Sequence, residues 1–145
     1  MAKSIRKTSR QRASKKYRVF ISHATTDQWI AKVLCEKLQS VGADTFRDDR
    51  DIKGGDVIPE EIRLELKRCN ELLVLLTPTS VGRTWVHLEV GAVWSRSKKV
   101  RIVSILYHAT IDSIPDIIKE HKAFHLNDLD RYLVEVAERA ERYSK

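Results

Sequence analysis

Only two cysteines, Cys35 and Cys69, occur in 145 residues, and both fall in segments with helical patterning. They are too few for a disulfide framework and are read as reduced thiols of a cytoplasmic protein. Neither GxGxxG nor GxxxxGK[ST] is present, which removes the usual signatures of a dinucleotide-binding dehydrogenase and of a P-loop enzyme. No run is apolar and long enough for a membrane span or the core of a signal peptide, so a membrane partner is not expected. Acidic residues are missing from positions 1 to 16, where Lys3, Arg6, Lys7, Arg10, Arg12, Lys15 and Lys16 lie. Seven of the 27 basic residues are thus in this stretch, leaving 20 against 20 acidic ones, so the net charge of +7 belongs to the tail. Residues 1–16 are read as a disordered basic tail and 17–145 as one domain. Nucleic acid is expected as a weak partner of the tail alone.

What is present is an alternation of β and α patterns. Tyr17 to Ser22 is a β-rich run, followed by Thr25-Thr26-Asp27-Gln28, which resembles a capping box, and by Trp29, Ile30, Val33, Leu34, Leu38 and Val41 at helical spacing. Gly42 ends that helix. Ala43 to Phe46 reads as a second strand and Arg47 to Val57 as a loop, after which Pro59 opens a helix to about Arg68. Leu72 to Leu76 is continuously apolar, as expected of a strand buried on both faces. A helix around Trp85 follows, then a fourth strand from Arg101 to Leu106 and a short helix from Asp112 to Lys119. A fifth strand from Ala123 to Leu126 and a closing helix from Asn127 complete the pattern.

This order predicts an α/β fold, a flavodoxin-like three-layer α/β/α arrangement with a five-stranded parallel sheet of order 2-1-3-4-5. In such sheets a ligand crevice lies beyond the strand C-termini where the order reverses, here between strands 1 and 3. Ser22, His23, Ala24 and Thr25 leave strand 1 at that point. The loop from Asp48 to Asp56 leaves strand 2, and the Trp85 helix follows strand 3.

That helix, Thr84 to Trp94, places one carboxylate in an apolar run. Trp85, Leu88, Glu89 and Ala92 share a face while Val86, Val90, Val93 and Trp94 cover much of the rest, so no broad polar face remains for water. Spacing alone leans slightly to a structural carboxylate paired with an arginine or capping a loop. The position of the helix at the crevice shifts the balance towards chemistry. Trp85 is equally readable as a core residue. Lys53 and Arg50 bring positive charge to the loop after strand 2, although each alone reads as a solvated loop residue.

Other chemistries fit less well. Asp49-x-Asp51-x-Lys53-Gly54 with Glu60 imitates a calcium loop, but Lys53 occupies a ligand position and a strand precedes it. A phosphoacceptor receiver needs acidic residues at the ends of strands 1 and 3, where this chain has Ser22-His23 and Thr77-Pro78. Ser22 and His23 point to opposite faces if extended and form no nucleophile–base pair. His121 and His125 lack a third ligand nearby in sequence, so no metal site is expected.

Val19-Phe20-Ile21-Ser22-His23-Ala24, Phe46 to Asp56 (FRDDRDIKGGD) and Trp85-Val86-His87-Leu88-Glu89 resemble the first strand, the BB loop and the WxxxE helix of TIR domains, particularly bacterial ones. The resemblance covers residues 17 to about 143. It implies that Glu89 is the catalytic residue of an NAD⁺ glycohydrolase or ADP-ribosyl cyclase and that Trp85 is a wall of the nicotinamide pocket. His23, Ala24, Thr25 and Lys53 match positions of the family's nucleotide contacts. NAD⁺ is then a substrate and no cofactor is implied. The resemblance further implies self-association through surfaces that include the Asp48 to Asp56 loop, and a separate effector that senses the nucleotide product in immune or stress signalling. A non-catalytic scaffold acting through domain–domain contacts, and an enzyme like the nucleoside deoxyribosyltransferases, remain as alternatives.

Overall fold

A computed structural model of the chain describes residues 15–48, 57–80, 91 and 92, 100–114, 116 and 122–145. Strands β1 (Arg18–Ser22), β2 (Asp44–Arg47), β3 (Glu71–Leu76), β4 (Arg101–Leu106) and β5 (Ala123–His125) form one sheet of order β2-β1-β3-β4-β5. Every pairing is parallel, with Phe20 opposite Phe46 and Leu72, and Leu73 opposite Val103. The flavodoxin-like topology read from the sequence is the one observed.

Side chains alternate across a strand, and here both faces are buried. Val19, Ile21, Leu73, Leu75, Val103 and Ile105 pack on one face against Ala31, Leu34, Cys35 and Leu38 of helix α1 (Gln28–Ser40) and Tyr132, Val136 and Ala140 of helix α3 (Leu129–Ser144). Phe20, Leu72, Val74, Leu76, Ile102 and Leu106 face the other way, onto Ile62 and Leu66 of helix α2 (Glu60–Arg68). All six residues of β3 are buried, which makes it the axis of both cores.

Helix α1 ends as Gly42 directs. With φ at +98° this residue takes the left-handed conformation, its N–H donates to the Gln39 carbonyl at 3.1 Å, and the Ala43 N–H donates to the Leu38 carbonyl at 3.1 Å. This pair of bonds is the Schellman arrangement, and it satisfies carbonyls that the helix end would leave open.

Several local expectations are corrected. The capping box is not formed: residues Thr25–Asp27 make a 3₁₀ turn, and α1 starts at Gln28 without a side-chain cap. Trp29 does not join the core but is 74% exposed, because the buried stripe of α1 is Ala31, Leu34, Cys35 and Leu38, and a residue two before Ala31 lies about 200° around the helix. β2 runs one residue further than expected, to Arg47. The short helix expected over 112–119 is represented by a 3₁₀ turn at Ile111–Ser113, with residues 115 and 117–121 outside the described ones. α3 begins at Leu129, preceded by a 3₁₀ turn at Leu126–Asp128. Among the described residues, no helix is long and apolar enough to cross a membrane.

Gly91 and Ala92 are helical and buried. A Cβ on Gly91 would stand 2.4 Å from Leu72 Cδ2, so this glycine lets the backbone lie directly on β3. Leu72 is fully buried and has little room to turn aside. Gly91→Ala is expected to cost about 1–3 kcal/mol through overpacking. Urea unfolding measures it, and an unchanged midpoint would mean that Leu72 accommodates the methyl freely.

Candidate functional site

A parallel sheet gathers its strand C-termini on one edge. Ser22 of β1, Arg47 of β2 and Leu76 of β3 therefore end side by side, and the reversal of strand order between β1 and β3, where a crevice is expected, falls at this edge. Glu89, Trp85, Arg50 and Lys53 lie outside the described residues, as does the Asp48 to Asp56 loop beyond its first residue. The segments that lead to them do converge: Asp48, buried, continues from β2, and Thr77 to Ser80 continue from β3.

His23, Ala24 and Thr25 leave β1 at this edge. His23 is 5% and Ala24 1% exposed, and the imidazole Nδ1 is 2.7 Å from the Ala24 carbonyl. A carbonyl only accepts, so Nδ1 carries the proton. The same carbonyl accepts the Asp27 N–H at 2.9 Å and so closes the 3₁₀ turn. His23 and Ala24 thus fix the turn from within, and Thr25 is the more accessible of the three.

A hydroxyl cluster that sequence reading missed ties this turn to the exit of β3. Thr77 Oγ1 donates to Asp27 Oδ2 at 2.6 Å and lies 3.1 Å from Thr79 Oγ1, which is 3.3 Å from Thr26 Oγ1. Ser80 Oγ accepts the Thr77 N–H at 2.7 Å. Asp27, read from sequence as part of a helix cap, instead holds together the two chain segments that flank the crevice. Further along the edge, a cleft of about 380 Å³ is lined by Leu106 to Thr110 at the end of β4 and His125 to Asn127 at the end of β5.

The opposite edge holds a second unforeseen group. Glu71, the first residue of β3, is fully buried and accepts hydrogen bonds from the Tyr17 hydroxyl at 2.6 Å, the Tyr132 hydroxyl and Arg139 Nε at 3.1 Å. Arg139 Nη2 also lies 3.1 Å from Glu71 but without hydrogen-bond alignment, so that contact is an ion pair only. Burial, reinforced by the negative charge of Glu71, raises both tyrosines well above the ordinary phenol range. Burial is the largest single influence on Arg139 and opposes its charge, but Glu71, Tyr17, Glu135 and Tyr132 together outweigh it and raise the guanidinium pKa. Every member serves another member, and this edge lies about 17 Å from the crevice, the length of β3. The sequence signal was a carboxylate at the mouth of the apolar run Leu72 to Leu76. Among the described residues, no group of three or more His, Cys, Asp or Glu side chains is placed to hold a metal.

Comparisons with known proteins fit this architecture. The 2' cyclic ADP-D-ribose synthase BtTIR of Bacteroides thetaiotaomicron is 31% identical over 84 residues, covering 57% of this chain and 29% of that protein. The NAD(+) hydrolase TcpC of Escherichia coli O6:H1 is 27% identical over 82 residues, 56% of this chain and 27% of that protein. The chain therefore spans less than a third of the length of these two relatives. The crystal structure of the TIR domain of the Toll-related receptor TRR-2 from Hydra magnipapillata has the same fold, with a TM-score of 0.59 at 23% identity over 83% of this chain and 97% of that one. Residues 19–140 match the family model described as TIR domain, and the chain belongs to that family.

Proposed function

We propose that this domain is an NAD⁺ nucleosidase that splits the bond between nicotinamide and ribose, with Glu89 as the catalytic carboxylate and Trp85 beside the nicotinamide. The observation that carries the reading is the convergence of the β1, β2 and β3 exits at the switch point, in a family whose relatives bear NAD⁺ hydrolase and cyclic ADP-ribose synthase names. As the C1′–N bond breaks, its electron pair neutralises the pyridinium and nicotinamide leaves as a neutral molecule. No general acid is required. The cationic ribose that remains is stabilised by an anion close to C1′. Water then adds with loss of a proton to give ADP-ribose, or a nucleophile within the same molecule adds to give a cyclic isomer. An aromatic face favours the cationic ring before cleavage by roughly 0.5–2 kcal/mol.

NAD⁺ enters as substrate, and the chemistry needs no added cofactor. His23, Ala24 and Thr25 support the ribose side of the crevice, while Arg50 and Lys53 offset pyrophosphate charge. No glycine-rich loop clamps the adenine end, so a neighbouring subunit completes the site through the Asp48 to Asp56 loop. The nucleotide product then serves as a signal to a separate effector.

Incubation of concentrated protein with NAD⁺, followed by chromatographic separation of products, tests the activity directly. Nicotinamide with ADP-ribose or a cyclic isomer is expected, and specific activity should rise with protein concentration as subunits associate. Folded, concentrated protein that leaves NAD⁺ intact would favour the non-catalytic scaffold. Constant specific activity across dilution would show that one subunit carries a whole site.

A further inference from the structure

At the edge opposite the crevice, Tyr17, Asn70, Arg101, Arg139, Arg142 and Tyr143 line an open cleft of about 380 Å³. We propose that this cleft is a second ligand site, specific for a diphosphate group carried by a small anion. Three guanidinium groups meet there, from the start of β4 and the last turns of α3. Arg139 is balanced by Glu71 and by Glu135, 3.3 Å from its Nη1. Arg101 and Arg142 are exposed, and among the described residues neither has a carboxylate partner.

Arg139 and Arg142 are three residues apart on one helix face, where like charges oppose folding. The C-terminal end of the α3 dipole favours Arg142, but it gives no reason for Arg101 to join the cluster from another element. A bound anion with two phosphates relieves both cations at once through charge-assisted, bidentate contacts.

The neutral groups suit the same ligand. Asn70 Oδ1 accepts the Arg18 N–H at 2.8 Å, which identifies the other amide atom as the NH₂ donor, and no described residue accepts from it. The Tyr17 hydroxyl is committed to Glu71, and the ring stands edge-on to Tyr143 with centroids 5.9 Å apart, giving the cleft a fixed aromatic wall. Lys15 Nζ lies 4.9 Å from the Tyr143 ring centre and adds a further positive charge at the rim. The volume falls in the range of about 300–1,000 Å³ usual for small-ligand sites.

Equilibrium dialysis at low ionic strength with inorganic pyrophosphate and with ADP tests the assignment. Saturable binding of pyrophosphate is expected, weakening by at least about tenfold in Arg101→Gln/Arg142→Gln and with added salt. In Arg50→Gln/Lys53→Gln, which removes the charges assigned to the crevice, the component of binding that is lost in Arg101→Gln/Arg142→Gln should remain, and Arg101→Gln/Arg142→Gln should keep wild-type nicotinamide release from NAD⁺. Tighter binding of ADP than of pyrophosphate would assign a nucleotide as the natural source of the diphosphate, and equal binding the free diphosphate. No saturable binding in the millimolar range, or unchanged affinity in folded Arg101→Gln/Arg142→Gln, would overturn the proposal. So would loss of that same component in Arg50→Gln/Lys53→Gln.

Discussion

Glu89→Gln is expected to reduce nicotinamide release from NAD⁺ by at least about 10²–10³-fold while the protein remains folded. The substitution keeps the size of the side chain and removes only the negative charge. On the proposed mechanism that charge matters more as the ribose becomes cationic, so the loss should fall on kcat more than on KM. Removing one preorganised electrostatic group from a reacting centre typically costs about this much. Circular dichroism and the thermal midpoint, measured on the same sample, separate a lost reaction from a lost fold. A folded Glu89→Gln variant with wild-type turnover would remove Glu89 from the chemistry and leave the carboxylate with a structural role.

The reverse pattern is expected at the other end of β3. Glu71→Gln places an NH₂ donor among two tyrosine hydroxyls and a guanidinium that all donate, and it leaves the charge of Arg139 without its buried partner. Breaking a buried pair from one side costs about 3–5 kcal/mol. Equilibrium unfolding in urea should show a loss of that order, with residual activity following the folded fraction. Glu71→Leu combined with Arg139→Met should lose less than the sum of the single changes, because no uncompensated charge remains. A loss below about 1 kcal/mol for Glu71→Gln would mean that water reaches the group and satisfies it.

Strand order and Glu71 show where sequence reading succeeds and where it stops. Strand order follows from the alternation of apolar runs with helical periods, since parallel neighbours require crossovers and each crossover has one hand. Leu72 to Leu76 was recognisable as a central strand because no polar face interrupts it. Glu89 stood out for a similar reason, a charge inside an apolar run. Glu71 did not, because a charged residue at the start of a strand ordinarily meets water, and its partners Tyr17, Tyr132 and Arg139 are 54, 61 and 68 residues away. Trp29 misled because a large apolar side chain in an amphipathic segment suggests burial, whereas the stripe runs through Ala31, Leu34, Cys35 and Leu38, away from position 29. Asp27 was assigned to the backbone of its own helix, and a threonine 50 residues on competes for it.

Tyr17, next to β1, and Tyr143, in the last turn of α3, touch each other at the edge where the parallel strands begin. The domain thus has its entrance and exit side by side, like the two pins of a plug. Whatever sequence is joined before residue 17 or after residue 143 emerges at that edge, about 17 Å away from the crevice along β3. Sequence joined at either end therefore starts from the edge opposite the one where NAD⁺ is proposed to bind.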